Sequence, residues 1–116
     1  MQSLLILNEP PYGSLKSYNA IRLANALAKR RGSRVRVFLM GDAVACAKKG
    51  QRTPLGNYNF ERMFQSIVRS GGEIAACLPC LEMRGILAED LAQGCSVGNL
   101  DLLSEWIEVS EKVMVF

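Results

Sequence analysis

A chain of 116 residues with a net charge of +3, 49% hydrophobic and 22% charged, has the size and balance of one globular domain with its own core, and excludes a disordered chain. The basic runs Lys29-Arg30-Arg31 and Lys48-Lys49 carry no interleaved aromatics and match no RNA-binding signature. They read as solvated helix ends rather than a nucleic-acid face.

Leu4 to Leu7 is a continuous apolar run, the pattern of a buried strand. Its start, almost at Met1, has no basic region and no cleavage site before it, as a secretory signal would. No stretch approaches the length needed to span a bilayer, so no membrane partner is expected. A cytoplasmic location follows as the expectation, with thiols kept reduced and structural disulfides not anticipated. The slightly positive mean hydropathy points weakly to apolar surface covered in an oligomer.

The strand ends in Asn8-Glu9-Pro10-Pro11-Tyr12-Gly13, a turn-rich loop. Ser14 is placed to cap a helix reaching about Arg31, with Ala20, Leu23, Ala24, Leu27 and Ala28 as its apolar stripe and Gly32 past its end. Val35 to Met40 predicts a second strand, and Asp42 a cap for a short helix to about Lys48. Gly50 to Tyr58 should be an exposed loop. Phe60, Met63, Phe64, Ile67 and Val68 repeat at helical spacing, with Asn59 as N-cap and Gly71-Gly72 as terminator. Glu73 to Cys77 predicts a third strand running into a helix that begins near Pro79 and reaches about Met83. From Arg84 to Gly98 the pattern is mixed: Leu87, Leu91 and Ala92 fit a short helix, and Cys95 to Val97 a strand. Asn99 caps a last helix with Leu100, Leu103, Trp106 and Ile107 inward, and Val113 to Phe116 is the last strand.

Strands alternating with helices imply right-handed crossovers. The expected fold is a single α/β domain over residues 1–116, a three-layer sandwich with a mostly parallel sheet of about five strands and helices on both faces. Such sheets bind ligands beyond the carboxyl ends of their strands. Asn8 to Gly13, Gly41-Asp42 and Cys77 to Cys80 lie at that edge.

The chain has no histidine and four cysteines. Ser-His and Cys-His nucleophile pairs are therefore excluded, along with the commonest metal ligand. Zinc would need the cysteines, yet only Cys77 and Cys80 have ligand spacing, so no metal is expected. No phosphate motif is complete. That leaves Cys77-Leu78-Pro79-Cys80 as the strongest local feature. A thiolate is the reactive form of cysteine, and a strand-end, helix-start position offers N–H groups that favour the anion. The expectation is a Cys77 thiol of lowered pKa facing a partly open pocket and reacting faster than Cys46. Arg84 can add positive potential if the chain folds back. A buried apolar cysteine at a strand end is the plainer reading, and the two weigh about equally. Cys46 among alanines reads as core filler, and Cys95 as structural or incidental. Tyr12 and Asp42 are most simply loop residues.

The residues also resemble a known family. Pro11-Tyr12-Gly13-Ser14, Phe38-Leu39-Met40 with Asp42-Ala43-Val44, Gly50-Gln51, Tyr58-Asn59, the run Cys77-Leu78-Pro79-Cys80-Leu81-Glu82-Met83-Arg84-Gly85-Ile86 and Lys112-Val113 together resemble the DsrE/DsrF-like family of sulfur-relay proteins, in its YchN-like branch. The resemblance implies that Cys77, followed by Arg84-Gly85, carries sulfane sulfur as a persulfide and passes it to a partner thiol. It makes Cys80 a secondary catalytic candidate. The carboxyl-edge placement of Tyr12, Gly41 and Asp42, with the downstream charge of Arg84, makes these four the candidate substrate-binding residues. The resemblance also implies a homo-oligomer, a trimer or hexamer, with a protein thiol as sulfur donor or acceptor. Thiolate attack on sulfur requires no cofactor. Two other readings stay open: a dithiol redox protein using Cys77 and Cys80, and a non-catalytic oligomeric module that binds a small ligand.

Overall fold

The computed structural model describes residues 1–54 and 58–116, so part of the loop expected over Gly50 to Tyr58 lies outside the described residues. Five strands, β1 (Gln2–Leu7), β2 (Arg34–Leu39), β3 (Glu73–Cys77), β4 (Cys95–Gly98) and β5 (Lys112–Val115), form one sheet in the order β4-β3-β2-β1-β5. Every neighbouring pair is parallel. The α-helices are α1 (Lys16–Ala28), α2 (Phe60–Arg69), α3 (Leu78–Glu82) and α4 (Leu100–Val109).

Parallel neighbours need crossovers, and right-handed crossovers fix which face each helix covers. The steps β1 to β2 and β2 to β3 run one way across the sheet, so α1 and α2 share a face and pack on each other. The step β4 to β5 returns past three strands, so α4 covers the opposite face and meets β1. Both faces being covered explains why β1 and β2 are almost uniformly apolar in their buried stretches. Leu4, Leu5, Leu7, Val37, Phe38 and Leu39 are fully buried. This is the three-layer α/β sandwich that the sequence predicts.

The helices obey local signals unevenly. Asn59 accepts a hydrogen bond from the Arg62 N–H at 3.1 Å and Asn99 one from the Leu102 N–H at 2.8 Å, the expected N-caps. α1 begins at Lys16 rather than at Ser14, with Leu15 as its cap residue. Its buried face is Ser17, Ala20, Ile21, Ala24 and Ala28, while Leu23 turns outward. On α4 only Leu103 and Trp106 are buried, whereas Leu100 and Ile107 are 65% and 43% exposed. Leu103 and Trp106 set the centre of the buried arc, and at helical spacing Leu100 and Ile107 fall to one side of it, outside the narrow strip that meets the sheet. Trp106 stands edge-on to Phe38, ring centroids 6.1 Å apart, and the Arg36 guanidinium lies 5.7 Å above the indole. No helix among the described residues is long and apolar enough to cross a membrane.

The links that carry the site are short. Gly41–Ala47 is one 3-10 helix and Ala88–Asp90 another, so residues 84–98 contribute a turn and a four-residue strand. The two links are tied together: the Ala92 N–H donates to the Ala47 carbonyl at 2.7 Å and the Lys49 N–H to the Asp90 carbonyl at 2.8 Å.

A candidate thiol site at the carboxyl end of β3

β3 delivers Cys77 to the carboxyl edge of the sheet, where it becomes the N-cap residue of α3. Pro79, without an N–H, occupies the first turn at no cost in hydrogen bonds. One turn on, the Cys80 sulfur accepts a hydrogen bond from the Gly41 N–H at 3.2 Å. Gly41 follows β2 with φ +54°, a left-handed backbone that glycine adopts without strain. The turn after β2 and the turn after β3 therefore meet at one sulfur atom.

Arg84 closes the group. Its Nε and Nη2 donate to Asp42 Oδ1 at 3.1 and 2.8 Å, and its Nη1 donates to the Cys80 carbonyl at 3.0 Å. Asp42 does not cap the helix that follows it. A guanidinium 42 residues away has claimed the carboxylate instead. The pair sits at the rim, where such contacts hold position more than they stabilise, at under about 1 kcal/mol.

Two sequence expectations for Cys77 are corrected here. The thiol is only 5% exposed and does not face an open pocket. Burial, joined by the neighbouring Cys80 thiol, raises its pKa, outweighing the Cys80 backbone N–H and the Arg84 charge, which pull it down. A five-residue helix offers little against that desolvation. The more accessible member of the pair is Cys80, which is half-buried.

The other thiols match their expected roles. Cys46 is fully buried, and burial pushes its pKa up to about 12. Cys95 is half-buried, and burial with the Glu61 charge pushes it up to about 12 as well. Among the described residues no three His, Cys, Asp or Glu side chains cluster so as to hold a metal ion.

Gly41, Asp42, Cys77, Cys80 and Arg84 thus come together, while Tyr12 stands apart. Its hydroxyl donates to Gln51 Oε1 at 2.6 Å, and its ring lines a cavity of about 350 Å³ with Pro11, Leu15 and Tyr58. Gln51 in turn donates to the Ala45 and Lys48 carbonyls, a brace that no local sequence pattern announces. Tyr58 is the one non-glycine residue among those described with positive φ, at 60°.

The chain is thus a parallel α/β sandwich that carries a C-x-x-C turn and a downstream arginine at its carboxyl edge. It belongs to the DsrE/DsrF-like family, matched over residues 1–116, a family associated in general terms with sulfur relay. Among its relatives is the protein YchN of Escherichia coli, 35% identical with both chains fully covered. The crystal structure of that protein superposes with a TM-score of 0.90 over the full length of both chains. An uncharacterized protein of Methanopyrus kandleri is 33% identical over 97% of this chain and 91% of its own. A protein of unknown function from Methanobacterium thermoautotrophicum shares the fold, with a TM-score of 0.76 at 14% identity and 97% of each chain covered.

Proposed function

We propose that this is a sulfur-handling protein that carries sulfane sulfur as a persulfide on Cys77 and passes it to a partner thiol. The observation that carries this reading is the meeting of Cys77 and Cys80 with the Gly41 N–H and the Arg84 guanidinium at the carboxyl edge of β3. Persulfide chemistry requires a thiolate nucleophile and an S–S bond that later breaks, and neither step demands a metal. Burial of Cys77 suits a store, because a sulfane sulfur in water is open to attack by any passing thiol.

Intact mass after exposure to a small persulfide donor tests it. The wild-type chain should gain one sulfur that survives desalting, and Cys77→Ser should lose that stable gain entirely. Stable loading in Cys77→Ser would sink the assignment. A dithiol redox role is the second reading, favoured by the direct influence of Cys80 on the Cys77 thiol. It requires a Cys77–Cys80 disulfide as the end product, visible as a loss of two hydrogens rather than a gain of sulfur. The binding-module reading rests on the cavity beside Tyr12.

The assembly belongs to the same proposal: a homotrimer or homohexamer. Val113, Val115, Ile107 and Val109 lie exposed on β5 and α4, and a small domain gains by covering such a face. Light scattering at micromolar concentration should give a mass of three or six chains. A monomer would refute it.

A further inference from the structure

Resting on the persulfide reading, we propose that Cys80 is the thiol that meets the sulfur donor and acceptor, and that Cys77 is an inner store which Cys80 fills and empties. The two cysteines differ in reach. Cys77 lies 5% exposed, at the register position opposite Gly98 of β4, and a partner's thiol would need that edge to open before it could attack there. Cys80 is half-buried at the outer turn, and its sulfur is already fixed by the Gly41 N–H at 3.2 Å. A hydrogen bond to sulfur strengthens as the sulfur gains negative charge. The Cys80 sulfur would be anionic twice, once as attacking thiolate and once as leaving group. Arg84, anchored on both Asp42 and the Cys80 carbonyl, keeps its guanidinium at the same rim.

The steps balance without an oxidant or reductant. The Cys80 thiolate attacks the terminal sulfur of a sulfane donor; its new S–S bond forms as the donor's breaks, and the donor leaves as a shorter thiolate or polysulfide anion. Cys77, its proton passing to that anion through water, then attacks the outer sulfur of the Cys80 persulfide. The bond from that sulfur to Cys80 breaks, Cys80 departs as thiolate, and the sulfur rests on Cys77 in the same oxidation state. Delivery reverses both steps. Attack by Cys77 on the inner sulfur would instead close a Cys77–Cys80 disulfide and expel hydrosulfide.

The test is rapid acid quench of the full chain after mixing with inorganic polysulfide, with the modified cysteine located by fragment mass. In the wild type, sulfur should appear on Cys80 first and on Cys77 afterwards. Cys80→Ser and Cys80→Ala should load Cys77 at least about tenfold more slowly, because only the shielded thiol remains. Misfolding would expose Cys77 and act in the opposite direction. Cys77→Ser should load Cys80 at the wild-type rate and then lose the sulfur on desalting. If both Cys80 variants load Cys77 as fast as the wild type, or if Cys77→Ser leaves Cys80 unmodified, the relay order is wrong while the Cys77 store stands. If the wild type retains no sulfur on Cys77, the store and the relay fall together.

Discussion

Replacing Phe38 with alanine should cost about 3–5 kcal/mol of folding stability, the range for deleting a fully buried aromatic ring. The ring is completely buried in β2, edge-on to Trp106, and it reaches beneath β4. A Cβ added to Gly98 would come within 3.0 Å of Phe38 Cε2 and 3.1 Å of Ala75 Cβ. Three strands and α4 therefore close on one side chain, and little can collapse into the space it leaves. For a domain this size the loss corresponds to a drop in Tm on the order of 15 °C. Urea unfolding checks it; a loss below about 1 kcal/mol would mean that the sheet and α4 repack more freely than this contact geometry allows. Because Cys77 extends from β3 on the face of Ala75, the same substitution should also speed alkylation of Cys77.

Above about pH 9 the chain should lose stability steeply, at about 1.4 kcal/mol per pH unit for each of two thiols. Cys46 and Cys95 both have folded pKa values pushed up to about 12, against an ordinary thiol value near 8.5. A group raised on folding stabilises fully below its unfolded pKa, and that contribution drains away as pH climbs toward the folded value. In the window between, the unfolded chain releases protons that the folded chain retains, so the slope is negative. Chemical denaturation from about pH 8 to 11 measures it. The thiols are isolated by comparison with Cys46→Ala and Cys95→Ala, each of which should flatten the slope by about one thiol's share. Unchanged slopes in both variants would refute the burial of these thiols.

Much of this architecture is legible in the amino acids because it is set locally. Leu4 to Leu7 and Val35 to Met40 read as strands, the second ending one residue earlier at Leu39, and Glu73 to Cys77 matches its strand residue for residue. Asn59 and Asn99 announce helix starts because the capping oxygen and the N–H it serves are three residues apart. Where the partner is distant the sequence is silent. Asp42 looks like a cap from its neighbours, yet its carboxylate belongs to Arg84. The Cys80 contact with Gly41 spans 39 residues and exists only because β2 and β3 pair in parallel. Cys77 followed the same logic in reverse. Its strand-end, helix-start position was readable, but the burial that decides its pKa comes from the packed sheet around it. The outward Leu100 and Ile107 show the limit of periodicity: spacing identifies an apolar stripe, and only the packed structure decides which part of it meets the sheet.

The strand order also has a kinetic meaning. β1 joins β2 across one helical crossover, but its other edge waits for β5, which arrives more than a hundred positions later, as the bond from the Gln2 N–H to Glu111, 109 residues away, makes plain. Closing so large a loop is slow and entropically expensive. Any partly folded form that has assembled β1 to β4 carries the apolar β1 with a raw edge of unpaired amides and carbonyls. Such an edge is a template for another chain. In a partly folded chain of that kind the open edge, rather than the core beside it, is where one molecule would template another.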